Sequence, residues 1–294
     1  MNARDKQELK ANLCETLKQT ELIPPLPETA QKILVLRNKP DASLEELVVL
    51  IESDPALSAF VLKYARMAVY GYGSRISSVE HAVSLVLGFS TALNVTLGIA
   101  SHGCLKIPNY GPLGRIRIWS DALQCAQLCR DLCKHIPSEH AIDPGLAYLG
   151  GLFQNFGYML FGHFCPKEFT LLNEMISLDP QQDIRALETK NFGITHDFIG
   201  LYLLKAWDLP EEVVMMVAKH HFPDCVGKHA VYAKLIATAN RMLQKDGMFD
   251  NCDHIETSTL LKELGISELA AGTELEKILA CQSELNELAQ GLIT

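Results

Sequence analysis

Apolar residues return every three or four positions along nearly the whole chain, and nowhere is there the sustained two-residue alternation of a half-buried strand. This periodicity predicts an all-α protein. Several helix starts are marked by local chemistry. Ser43 with Glu46, and Ser77 with Glu80, fit the capping box, in which a hydroxyl and a carboxylate satisfy free amide groups of the first turn. Asp54-Pro55 and Asp143-Pro144 place a capping acid before a proline, which lacks the donor that a first-turn residue cannot use.

The 294 residues allow one large domain or two ordinary ones. Short helices joined by tight turns are expected from PPLP (Pro24–Pro27) to about Leu105, giving an N-terminal helical part over 1–105. The stretch CLKIPNYGPLGR, Cys104 to Arg115, is the most linker-like. A second bundle, 106–245, starts with a helix near Ile116 and runs to a helix over Ala230–Gln244. A charged amphipathic extension, 246–294, carries Leu275, Ile278, Leu279, Leu285 and Leu288, suited to packing on the main body or on a second protomer.

A formal net charge of −9 without any basic run argues against nucleic acid as a partner, because phosphate backbones are held by clustered Lys and Arg. Ala82 to Leu105 carries no charged residue and is long enough to span a bilayer. Its seven polar residues and the break at Gly88 favour two buried helices instead, so no membrane association is expected. The N-terminus shows no secretory signal, and nine cysteines without a CxxC pair fit reduced thiols in the cytoplasm. Cys125, Cys129 and Cys133 recur every four residues and are expected to form a buried stripe of small side chains rather than a soft-metal site.

Two features bear on chemistry. In GLFQNFGYML, Gly151 to Leu160, the neutral amides Gln154 and Asn155 interrupt an apolar segment that reads as one helix, where a buried unpaired amide costs roughly 1–3 kcal/mol. The second is the histidine set. His196 opens a helix, and His220 and His221 are adjacent, so that on a helix they would project about 100° apart and seldom share an ion.

Several stretches in order then resemble one family. IPPLPETAQKILVL, DASLEELVVLIESDPALSAFVLKYARMAVYG, SSVEHAVSLVLG, the helix around Trp119, GLFQNFGYML, FGITHDFIGLYLLKAWDLP and AKHHFP are similar to the HDOD domain proteins, bacterial signalling proteins related to the HD superfamily of metal-dependent phosphohydrolases. The resemblance covers about Leu22 to Arg241. It implies an all-α fold with an N-terminal helical part and a C-terminal bundle like the HD catalytic core. In catalytic relatives a histidine, a His-Asp dipeptide and a later aspartate gather the metal. Those positions fall here on Asp121, on Gln154 with Asn155, and on Asn240, and none matches. His196, His220 and His221 do match positions where catalytic relatives often carry histidines. Arg66-Met67 departs from the Asn-Ser usual in its region.

Neutral amides cannot bridge cations and bind them weakly. Asp121, Gln154, Asn155, Asn240 and the histidines are therefore expected to line a vestigial pocket, closed by hydrogen bonds, with no metal, no cofactor and no catalytic residue. The expected function is regulatory, through contact with a protein partner of unknown identity. The alternatives are a phosphohydrolase using the three histidines with non-standard ligands, and a small-molecule sensor in which the vacated pocket binds an anion or nucleotide, helped by His196, His220 or Arg115 and Arg117.

Overall fold

The structure, a computed structural model, describes residues 3–140, 142–243 and 255–292. It is helical throughout, and no strand occurs among the described residues. The first half comprises α1 (Ala3–Lys18), α2 (Glu28–Arg37), α3 (Leu44–Glu52), α4 (Pro55–Ala65), the single turn α5 (Val79–His81), which widens into a π-type segment over Ala82–Leu87, and α6 (Phe89–Ala100). The Ser43–Glu46 capping box is present in both directions, at 3.2 and 3.0 Å. Asp54 caps α4 through the amides of Ala56 and Leu57.

The second capping box is displaced by one residue. Ser78, in an extended conformation (φ −141°, ψ 162°), accepts from the His81 amide, while Ser77 bonds the His81 ring. With Ser78 as the cap, Glu80 sits one position too early to reach back. Gly88 does break the uncharged segment: its φ of +73° lies in the region that side chains avoid, and α6 starts immediately after it. No described helix is long and apolar enough to cross a membrane. Eight consecutive residues of α6, Ala92 to Ile99, are buried, and the helix packs on α2 and on α8 of the bundle (Pro144–Phe153).

The bundle is built on α7 (Arg115–Leu132), which packs against α8 and is followed by α9 (Phe156–Phe164), α10 (Pro166–Leu178), α11 (Ile184–Phe192), α12 (His196–Ala206), α13 (Glu211–Lys219) and α14 (Ala230–Leu243). The segment expected to be a linker is an ordered crossing. Leu105 and Leu113 are buried, the amides of Arg115 and Ile116 return to the carbonyls of Pro108 and Asn109, and Asn173 on α10 accepts from the Leu113 amide at 2.8 Å. Trp119, Phe153, Phe156 and Trp207 form an edge-to-face cluster at the centre of the bundle. The Trp207 indole donates to the Pro24 carbonyl at 2.8 Å, tying the bundle to the PPLP turn. Cys125 and Cys129 are buried and Cys133 half-buried, as the stripe predicted, and all three are free thiols.

A polar clasp joins the halves. Tyr64 and Tyr70 donate to the Gln127 amide oxygen; Gln127 donates to Asp131 at 2.6 Å; and Asp131 is paired with Arg130 and Lys134. Arg130 also donates to the Tyr70 hydroxyl at 2.9 Å.

The extension folds back as α15 (Thr257–Glu263), α16 (Glu268–Ala280) and α17 (Gln282–Gly291). Ile278, Leu285 and Leu288 are buried in the protein's own core, the first of the two packing modes expected, with Leu275 and Leu279 half-buried. α16 and α17 run along α7, where Ser120 bonds Asn286, and on the turn after α7 His135 meets Glu274 at 3.0 Å. Gln244 and the expected boundary at Asp246 lie outside the described residues.

Candidate functional site

Gln154 and Asn155 do not lie inside one helix. α8 stops at Phe153 and α9 starts at Phe156, so the two amides form the joint between them; Asn155 (φ −102°, ψ 10°) caps α9, with its carbonyl accepting from the Tyr158 amide. The joint presents Gln154 to Asn240 on α14. The two side chains exchange a reciprocal pair of hydrogen bonds, Gln154 Nε2 to Asn240 Oδ1 at 3.1 Å and Asn240 Nδ2 to Gln154 Oε1 at 2.6 Å. Both residues are buried, and the pairing offsets the cost of burying two amides.

The residues expected to share a single network are found in three places: the Gln154–Asn240 pair, Asp121 with Arg117 on α7, and the histidines. Asp121 is occupied within α7, where Arg117, one helical turn earlier, donates to its carboxylate at 2.7 Å. Burial pushes the Asp121 carboxyl up to about 6, against the pull of Arg117. A folded-state value above the unfolded one means that the native protein binds this proton more tightly. The associated stability is complete below about pH 4 and is lost as pH rises through 6. Asp121→Asn is therefore expected to gain stability over the parent between pH 4 and pH 8, by up to about 3 kcal/mol, in urea unfolding at the two pH values.

The histidines form their own group. α13 ends at Lys219, so His220 and His221 sit on the turn that follows it and not on a continuing helix; this is why adjacent rings converge, with centroids 3.9 Å apart. His196, first residue of α12, faces both of them, with ring centroids 5.3 and 4.7 Å away. Its Nε2 is 3.2 Å from His220 Nε2 and 2.8 Å from His221 Nε2. His196 is stacked on Tyr158 of α9 at 4.0 Å, and its Nδ1 contacts both carboxylate oxygens of Glu188, at 3.0 and 3.1 Å. His220 Nδ1 meets the Val217 carbonyl at 2.7 Å. All three histidines are buried.

Burial raises the Glu188 carboxyl, with His196 opposing, and burial also drives His221 well below the ordinary imidazole range. Burial tends to raise Asp197, yet the positive potential of His196 and then His220 holds it well below the carboxylate range. Three imidazolium ions cannot share so small a volume. Arg185 also pairs with the Asp197 carboxylate, at 3.3 Å.

Glu188, Val217 and Tyr158 were not found from the sequence as parts of this group. One signal for Glu188 exists: Gly193, with φ +72°, ends α11 and reverses the chain, returning His196 to a residue eight positions earlier. Of the two arginines proposed for anion binding, Arg117 is spent on Asp121. Asp121, Gln154, Asn155 and Asn240 belong to neither of the metal-capable clusters among the described residues, which are His196 with His220 and His221, and Glu188 with His196 and Asp197.

An all-helical protein with an N-terminal helical half, a bundle closed by an amide pair and a separate histidine cluster is the class that fold and site define. The family model described as "HDOD domain" matches residues 23–223, and the chain belongs to that family. The match stops short of Arg241, where the sequence resemblance had been drawn. A protein from Marinobacter aquaeolei VT8 named for signal transduction superposes with a TM-score of 0.81 at 29% identity, over 100% of this chain and 67% of that one. An HDOD domain protein from Geobacter sulfurreducens gives 0.74 at 21% identity, over 98% and 99%. A protein from Shewanella amazonensis SB2B that carries a phosphohydrolase name gives 0.71 at 19% identity, over 95% and 97%; the last two likenesses establish the fold alone. An uncharacterized protein of Treponema pallidum (strain Nichols) is 26% identical over 223 residues, which is 76% of this chain but only 42% of that protein.

Proposed function

We propose that this protein is a non-catalytic signalling module that acts by contacting a protein partner. The observation that carries this reading is the reciprocal Gln154–Asn240 pair. At the three positions where catalytic HD relatives place a His-Asp dipeptide and a later aspartate, the chain has three neutral amides, Gln154, Asn155 and Asn240, and the first and last of them bond each other. A pair of neutral amides bonded to each other offers a divalent cation no negative charge and no bridging carboxylate. Asp121, the one anionic group left at these positions, is bound by Arg117. Membership of the HDOD family and the likeness to a protein named for signal transduction support the signalling part.

The test is hydrolysis. Natively purified protein, with and without added Mn²⁺, Mg²⁺ or Zn²⁺, is expected to leave phosphomonoester and phosphodiester substrates unchanged, while affinity capture from the source cells, compared with variants of exposed helix positions, recovers a specific protein. Metal-dependent turnover abolished by His220→Ala would replace this reading with the phosphohydrolase one, which the convergence of three imidazoles favours.

A further inference from the structure

We propose that the groove between α4, α6 and α17 binds a chain-like apolar monocarboxylate, of the medium-chain fatty-acid class, with its carboxylate at Lys63. This goes beyond the signalling reading and does not depend on it, since the groove is built by the N-terminal half and the extension, not by the bundle that holds Asp121, Gln154, Asn240 and the histidines.

Space comes first. The groove has a volume of about 490 Å³, within the range of about 300–1,000 Å³ typical of small-molecule sites. Leu57 and Phe60 of α4, Ile99 of α6 and Leu288 of α17 give it apolar walls. Ala56, Ala59, Gly103 and Gly291 also line it, and a Cβ added at either glycine would meet no atom within 4 Å. Room that larger side chains at these four positions would fill is left to an apolar guest.

Length and charge define that guest. The lining follows α4 from its cap, Asp54, to Lys63 in its last turn, a span of about 13 Å at 1.5 Å per residue. Such a length suits a chain better than a compact ring. The two ends differ in charge. Asp54 Oδ1 accepts from the amides of Ala56 and Leu57, at 3.0 and 3.1 Å, so this carboxylate is matched to the start of its own helix. A cationic head at Asp54 would face the positive end of the α4 dipole. Lys63 is the one cation among the described lining residues, and it makes no hydrogen bond or ion pair with a described residue. An anionic head at Lys63 gains a counterion and stands at the other end of the groove from the Asp54 carboxylate.

The apolar body supplies the affinity and the head the selectivity. Each methylene taken out of water should tighten binding about 3- to 4-fold until the groove is full. The exposed Lys63 pair adds about 5-fold at most. Leu288 and Gly291 belong to α17 and Leu57 to α4, so the ligand would join the extension to the N-terminal half and stabilise the native state by mass action.

The experiment uses the full chain, delipidated and titrated with octanoate, decanoate and dodecanoate below their micelle concentrations, with 1-decanol as the neutral counterpart. One equivalent is expected by calorimetry, with decanoate about 10-fold tighter than octanoate and a raised thermal midpoint. Lys63→Glu should weaken decanoate about 10-fold and leave 1-decanol unchanged. Ala59→Trp, at an exposed helix position, fills the groove and should weaken both by at least about 20-fold with an unchanged circular dichroism spectrum. Lys205→Glu, in the last turn of α12, should leave binding intact. No saturable uptake, uptake beyond one equivalent, uptake that survives Ala59→Trp, or an equal effect of Lys63→Glu on acid and alcohol overturns the proposal. Loss of the groove site would leave the signalling reading standing, whereas phosphoester hydrolysis by the protein would defeat that reading and leave the groove site untouched.

Discussion

Asp131→Ala lowers the stability of the protein by about 3–5 kcal/mol in denaturant unfolding. Asp131 is 2% exposed and receives hydrogen bonds from Gln127, Arg130 and Lys134. Lys134 reaches solvent, but Arg130 is itself only 8% exposed and has this carboxylate as its counterion. Removing the carboxylate leaves a guanidinium in the interior and a Gln127 donor without its acceptor, and both penalties fall on the clasp that joins α7 to Tyr64 and Tyr70. The effect has a pH signature. Burial opposes ionisation of Asp131, yet the charge of Arg130 and the hydrogen bond from Lys134 hold its carboxyl below the usual range. Its contribution is therefore complete above about pH 4 and is lost as pH falls through the depressed value, so the difference between parent and variant should narrow in acid.

The second large effect is expected at Gly157, where alanine should cost about 3 kcal/mol, read by the same unfolding measurement. An added Cβ would stand 1.8 Å from the His196 carbonyl oxygen and 2.9 Å from the Gly200 amide nitrogen. Both are backbone atoms that no rotamer change can move aside, so α9 and α12 must separate. Because His196 opens α12, the same displacement would pull its ring from His220 and His221. Gly157→Ala should thus damage the histidine cluster as well as stability, whereas Asp131→Ala acts at the joint between the two halves.

The fold was largely legible in the sequence because helical periodicity, caps and breaks are local signals. The Ser43–Glu46 box, the Asp-Pro starts and Gly88 all act where they stand in the chain. The Ser77–Glu80 box failed by one residue because two adjacent serines offer the same cap, and only the backbone conformation chooses between them. The site was legible in part. Gln154 and Asn240 were named from the family pattern, but their direct pairing depends on how α8 and α14 meet. The joint after Phe153 was missed because no proline or turn glycine marks it. For the histidines, helical geometry was applied one residue too far: α13 ends at Lys219, and the expected divergence of His220 and His221 vanishes with it. Glu188 and Val217 orient their rings across folds of the chain that composition cannot register.

The return of the extension along α7 bears on the order in which the protein is made. α7 leaves the ribosome before α8 to α14, and its contacts with them can form as soon as they follow. The flank that receives α16 and α17 must wait for Ile278, Leu285 and Leu288, which are synthesised after every helix of the bundle. The central helix of the bundle is thus begun early and finished late, and throughout that interval the nascent chain carries an unfinished apolar seam, the kind of surface on which chaperones act.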